Sequence, residues 1–184
     1  MKKQILVLFV LMSCFLSSCN DEKIQLSKNY FGTINVFKNG ENWQPLIYAS
    51  QNRKEKEYIV LHIEKPDRQN IIRESLYLHA ISKRKGYNLI KSKEEIDDFP
   101  YENNIRRYAS YYTHIADGDV GCASYQVDDS VEIAGYVNVT TYDESSGRIE
   151  GTFEVTLVKE RSCEENAPDT LHFTEGFFST KIQD

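Results

Sequence analysis

Two stretches in the last third of the chain alternate apolar and polar residues with a period of two. In the first, Ile133, Gly135, Val137, Val139 and Thr141 share one parity, and Tyr136, Asn138, Thr140 and Tyr142 the other. In the second, Ile149, Gly151, Phe153, Val155 and Leu157 alternate with Glu150, Thr152, Glu154 and Thr156. Between them lies Asp143-Glu144-Ser145-Ser146-Gly147, which is turn chemistry. Side chains of a strand alternate between faces, so each stretch predicts a strand with one buried and one wet face, as in antiparallel sheets. Gly151 falls on the inward parity, where a bulge or bend suits it.

The rest of the chain reads the same way. Thr33 to Phe37 is strand-like, and Asn39-Gly40 is a short hairpin signal because both residues tolerate positive φ. Trp43 to Ala49 is expected as the return strand, with Pro45 placing it near an edge or a strand end. Tyr58 to Ile63 is an apolar run of strand length, expected to be covered on both faces or to lie in a curled sheet. In Asn70 to Ile81, residues Ile72, Leu76, Leu78 and Ala80 share one parity and Arg73, Ser75 and His79 the other, which favours strand over the competing helix. Gly86 to Ile90, Arg107 to Ile115, Cys122 to Val127 and Leu171 to Ile182 complete the set, with Gly176 as a second bend. Ser92 to Asn104, acidic and containing Pro100, is expected as a long loop or helical insertion. About ten strands on short links predict an all-β domain, an antiparallel meander forming a barrel-like or sandwich structure that limits exposed edges. The 12 Tyr and 9 Phe against 2 Met suit strands.

The first residues are of another kind. Lys2 and Lys3 precede an apolar run from Ile5 to Leu16, and Leu16-Ser17-Ser18-Cys19 closes it before the polar Asn20-Asp21-Glu22-Lys23. That is the anatomy of a secretory signal peptide, too short for a transmembrane helix of roughly 20 apolar residues. Its end resembles the lipobox of bacterial lipoproteins. The resemblance implies cleavage before Cys19, acylation of Cys19, and a cell-envelope, outer-membrane location facing periplasm or exterior. Cys14 is the weaker lipid site, because Met12 is bulky where the lipobox takes a small residue and Phe15-Leu16 would remain at the new start. The expected organisation is a signal peptide at 1–18, a polar tether at 19–30 and one β domain at 31–184.

Export also frames the other cysteines. Cys122 and Cys163 remain, and in an oxidising compartment they either pair or stay as two separate buried thiols; compartment favours the disulfide. The net charge of −6 becomes more negative once Lys2 and Lys3 leave. A chain so acidic is not built for nucleic acid, which needs a basic patch.

A set of short pieces carries a further resemblance: Gly32 to Val36 with Asn39-Gly40 and Trp43, Gly86 to Leu89, Ala109 to Tyr112, Gly135 to Thr140, Arg148 to Val155, and Phe173 to Phe178. In this order they resemble a family of small bacterial lipoproteins with a β-rich domain of unknown function, which ends in strands patterned I-S-G-T-F-x-F and I-T-x-G-x-F. Here Glu150 stands for the usual Ser and Val155 for the second Phe. The resemblance implies the anchor and the β-rich fold, and no catalytic residues.

Motifs that carry chemistry are sparse. His62, His79, His114 and His172 show no metal-ligand spacing, and there is no Cys-x-x-Cys. Asp117-Gly118-Asp119 and Asp128-Asp129 read as turn residues, because an EF-hand loop needs a longer pattern ending in Glu. No Gly-x-Ser-x-Gly elbow and no phosphate-cradling glycine loop is present. No cofactor, metal or catalytic residue is therefore expected. Tyr108, Tyr111, Tyr112, Tyr125, Tyr136 and Tyr142 offer a pocket or platform for sugars, lipids or peptides, against ordinary sheet packing. The sequence thus supports a lipid-anchored, non-catalytic domain with an interaction or structural role toward a protein or small molecule. A ligand-binding barrel is the alternative, and a hydrolase with an unrecognised site the third reading.

Overall fold

The structure is a computed structural model in which residues 30, 32–52, 55–91, 108–116 and 118–183 are described. Cys19, the signal peptide, all of the tether except Tyr30, and the stretch expected as a long loop lie outside the described residues. Eleven strands make one sheet: β1 Gly32–Lys38, β2 Glu41–Trp43, β3 Leu46–Gln51, β4 Tyr58–Pro66, β5 Ile72–Ser82, β6 Gly86–Ile90, β7 Ala109–Ile115, β8 Val120–Gln126, β9 Gly135–Asp143, β10 Arg148–Arg161 and β11 Thr170–Gln183. The all-β class follows from the alternation, and the described residues contain no helix.

The pairings close on themselves. From β3 the neighbours run antiparallel through β4, β5, β7 and β8, and β8 meets β10. β10 pairs with β11 along most of its length, and the end of β11 returns to β3 in a parallel pairing, Ile182 with Ala49 and Gln183 with Ser50. The result is a barrel-like ring from which the β1–β2 hairpin and the β9–β6 pair extend. The sheet is thus mixed, with one parallel contact inside an otherwise antiparallel arrangement.

The core lies on one side of these strands. Ile149, Gly151, Phe153, Val155 and Leu157 are all buried along β10, whereas Glu154 is exposed, as the alternation predicts. Val137 and Val139 face the same interior from β9. The Asn39-Gly40 turn has φ of 51° and 79°, the two positive values a tight two-residue hairpin requires, and it joins β1 to β2.

Three departures from the sequence reading have local causes. The expected strand from Trp43 to Ala49 is two strands broken at Gln44-Pro45, since proline cannot donate to a ladder; β2 stays with β1 and β3 leaves for β4. In β5 the inward parity runs to Leu78 and then shifts, because Ala80 adopts φ of 53° in a bulge opposite Val60, and Ile81 is buried as well. In β9 a shift opposite Glu150 and Gly151 turns Thr141 outward and brings Tyr142 against the core, while Ile133 lies before the strand and is exposed. Of the two settings expected for Tyr58 to Ile63, the strand takes the curled sheet: it lies in the ring, with Ile59, Leu61 and Ile63 buried and the residues between them only partly so.

Cys122 and Cys163 form a disulfide with Cα atoms 5.0 Å apart. It ties the start of β8 to the β10–β11 connection, and the Cys163 backbone N–H also donates to the Cys122 carbonyl at 2.9 Å. The β8–β10 pairing beside it holds only three register pairs and contains a shift, so the disulfide crosses a short seam of the ring.

Candidate functional site

The outward face of β3, β4, β5, β7 and β8 carries two adjacent rows of side chains. The ladders align Tyr48, His62, Tyr77, Ser110 and Gln126 in one row and Leu46, Glu64, Ser75, Tyr112 and Ser124 in the next. These positions alternate with the buried Ile47, Ala49, Leu61, Ile63, Leu76, Leu78, Ala109 and Tyr111, so strand periodicity alone puts them on the side away from the core.

Aromatic rings fill this face. Tyr48 and His62 stack at 4.2 Å between centroids, His79 and Tyr108 at 4.0 Å, and Tyr77 stands edge-on to His62 at 5.3 Å. Such pairs add to the area they bury. Tyr30, preceding β1, joins them: its ring meets Tyr48 edge-on at 5.5 Å and its hydroxyl donates to the Glu64 carboxylate. The Tyr77 hydroxyl reaches the other oxygen of Glu64 at 3.4 Å. Glu64 is only 9% exposed, and its two oxygens meet the Tyr30 and Tyr77 hydroxyls within an aromatic setting.

That environment sets the titration of its members. Burial lowers the pKa of His62 and of His79 to about 4, and the proximity of His62 adds to the effect on His79; both imidazoles are neutral near neutral pH. Burial, then the charge of Glu64, pushes Tyr48 up to about 12, and burial followed by the bond to Glu64 also raises the pKa of Tyr30. The tyrosines are therefore hydroxyl donors and not phenolates.

One pair on the face has the separation of a nucleophile and its base: Ser50 Oγ lies 2.8 Å from His62 Nε2. Acyl transfer also needs donors for an oxyanion. Ser50 is paired on both sides, to Val60 and to Gln183, which commits the backbone there to the sheet. Among the described residues no carboxylate bonds His62 to orient it, and no group of three His, Cys, Asp or Glu is placed to hold a metal ion.

A second polar cluster sits on the inward side. Lys38 and Tyr111 both donate to one oxygen of Glu74, the tyrosine at 2.5 Å, and Lys65 lies 3.5 Å from the other. Burial alone would raise the Glu74 pKa, but the bonds and charges of Lys38, Tyr111 and Lys65 outweigh it and hold the carboxyl below its usual range. The Lys38 ammonium also lies over the Trp43 and Tyr111 rings, at 5.7 and 5.3 Å. These groups satisfy one another and close off the core; among the described residues the buried Trp43 indole N–H is the one buried side-chain donor without an acceptor.

An open groove of about 670 Å³ runs beside Gly32, Thr33, Asp143, Ser146, Arg148, Ser179, Thr180 and Lys181. Its principal charges are spent locally. Arg148 bonds Glu150 and Ser179, and Asp143 accepts from Ser145 and Ser146, which depress its pKa to about 2.

The six tyrosines singled out from the sequence do not converge. Tyr108 and Tyr112 belong to the outward face, Tyr111 and Tyr125 are core residues, Tyr136 pairs with the exposed Tyr87 elsewhere, and Tyr142 packs against the core beneath Lys83. Tyr30, Tyr48, Tyr77, His62 and His79 were not part of that set. Tyr48, His62 and Tyr77 share an outward parity on three strands, but only the register brings them into one row. In a comparison with known proteins, no family model, no curated protein and no solved structure matches this chain.

Proposed function

We propose that this chain is a lipid-anchored envelope protein whose β domain is a non-catalytic contact module, working through the aromatic–histidine face of β3, β4, β5 and β7. The observation that carries this reading is the contrast between the two sides of the same strands. The inward side is packed with aliphatic and aromatic residues with almost no exposed surface, including Ile47, Leu61, Ile63, Leu76, Leu78 and Tyr111. A ligand-binding barrel keeps a cavity of a few hundred Å³ for its cargo. The outward side instead displays half-buried rings with polar tips, which supply apolar contact area and directional hydrogen bonds at little entropic cost. Export, acylation at Cys19 and the outer-membrane location enter the reading from the signal-peptide and lipobox pattern at residues 1–19.

Native mass spectrometry of the mature protein tests the contact-module reading against its alternative. The expected mass is that of the polypeptide from Cys19 with its acyl groups. A further small molecule bound in stoichiometric amount, and lost only on unfolding, would make the domain a carrier. Hydrolysis of generic ester or amide substrates that disappears in Ser50→Ala would instead make it an enzyme.

A further inference from the structure

The aromatic face has one property that the rest of the surface lacks: the chain enters the domain through it. We propose that this face lies against the lipid surface in which the protein is anchored, its rings seated among the headgroups. The proposal rests on the lipid-anchor reading above and names the partner of that same face.

Three observations support it. Tyr30, the residue at which the described chain begins, is bound within the face through Glu64 and Tyr48. The described chain therefore begins on this face. Residues 19–29 span at most about 40 Å when fully extended, at 3.3–3.6 Å per residue. An acylated Cys19 thus holds Tyr30, and the face around it, within about 40 Å of the bilayer.

The chemistry of the face also suits headgroups. Leu46 is 36% exposed and Tyr112 37%, and around them are the half-buried Tyr48, Tyr77 and Tyr108 and two neutral histidines. Side chains with an apolar body and a polar tip are the ones that favour a membrane interface.

Charge points the same way. The chain is acidic, with a net charge of −6, yet the only carboxylate in the two rows is Glu64, buried and hydrogen-bonded. Exposed acids such as Glu57, Asp129, Glu144, Glu154 and Glu165 are carried by turns and by other strands. Glu160 of β10, exposed and hydrogen-bonded to Ser124, sits at the far end of the second row, so it is the part around Tyr48 and Tyr77 that can meet an anionic bilayer without pressing exposed carboxylates against it. Weak contacts suffice, because a short tether sets the effective concentration of the face at the bilayer near the millimolar range.

The test is photolabelling of the lipidated protein in liposomes of phosphatidylcholine and phosphatidylglycerol that carry a diazirine on the headgroup. Adducts are mapped by peptide mass spectrometry, and flotation of the same sample is measured alongside. Labelling of Leu46–Gln51 and Ala109–Ile115 is expected to exceed that of Gly86–Ile90, where Tyr87 is 68% exposed, by about tenfold. Tyr112→Glu, at an exposed position, is expected to remove most of that excess without loss of flotation. Protein that floats but labels evenly, or chiefly around Tyr87, would refute the face assignment and leave the anchor standing. Protein that does not float would refute the anchor, and the proposal with it. Excess labelling abolished by added envelope polysaccharide would assign the face to a glycan and overturn the proposal.

Discussion

Phe153 has no exposed surface, and Gly176 lies directly across from it on β11. A Cβ at position 176 would come within 2.6 Å of the Phe153 ring, so the glycine is there because the ring needs its space. Phe153→Ala is therefore expected to cost about 3–5 kcal/mol, the range for truncating a buried phenylalanine. Glu154 points to solvent, and Glu154→Ala is expected to change stability by less than about 0.5 kcal/mol. Urea melts of the two variants check this; a costly Glu154→Ala beside a neutral Phe153→Ala would mean that the strand faces the other way. The histidines of the outward face make a second prediction at this scale. In the folded protein His62 and His79 hold pKa values of about 4, against 6.5 for an unperturbed histidine. As pH falls, the unfolded chain takes up these protons first, so the stability tied to neutral imidazoles is complete above about 6.5 and is lost progressively toward 4. The depressed carboxylates Glu74 and Asp143 act lower, below about 4.5. The urea midpoint is accordingly expected to drop between about pH 7 and about pH 5, and the drop to shrink in His62→Gln. An unchanged midpoint across that interval would contradict the burial of the two rings.

At the scale of elements, the ring is only as strong as its shortest pairings. β10 and β11 share a long register, whereas β8 and β10 share three pairs. The disulfide spans that seam with a sequence separation of 41, and closing such a loop stabilises by about 4 kcal/mol in the chain-entropy account. Cys122→Ser with Cys163→Ser, or reduction of the wild type, is expected to lower stability by that order, measured by denaturant unfolding, and to increase amide exchange in Val120–Gln126 before Arg148–Arg161. Equal exchange in both strands would place the weak point elsewhere. This scale also shows what the sequence makes legible. β10 could be read residue by residue because five inward residues alternate with four polar ones without interruption. Pro45 marks a strand end in the sequence itself, whereas the parity shifts at Ala80 and opposite Glu150 are not readable there, because a bulge is set by the partner strand as much as by the chain that bears it. The outward face escaped for the same reason. Tyr48, His62 and Tyr77 lie far apart in sequence, and nothing local to any of them signals the register that aligns them. Tyr111 and Tyr112 cannot share one platform, because adjacent strand residues face opposite ways: Tyr111 is buried and Tyr112 exposed.

At the scale of the whole molecule, the described strands turn their aliphatic and aromatic side chains inward and the rows of Tyr48, His62 and Tyr77 outward. Everything proposed about its setting depends on Cys19. One acyl chain gives marginal membrane residence and two give a stable one, and a polypeptide with a net charge of −6 is a poor substitute for them at an anionic surface. Metabolic labelling with a fatty acid, followed by fractionation, tests this most directly. The wild type is expected to carry the label and to sediment with membranes. Cys14→Ala is expected to behave as the wild type, and Cys19→Ala to lose the label and appear in the soluble fraction. Label that persists in Cys19→Ala, or an unlabelled Cys19→Ala that still sediments with membranes, would contradict the account.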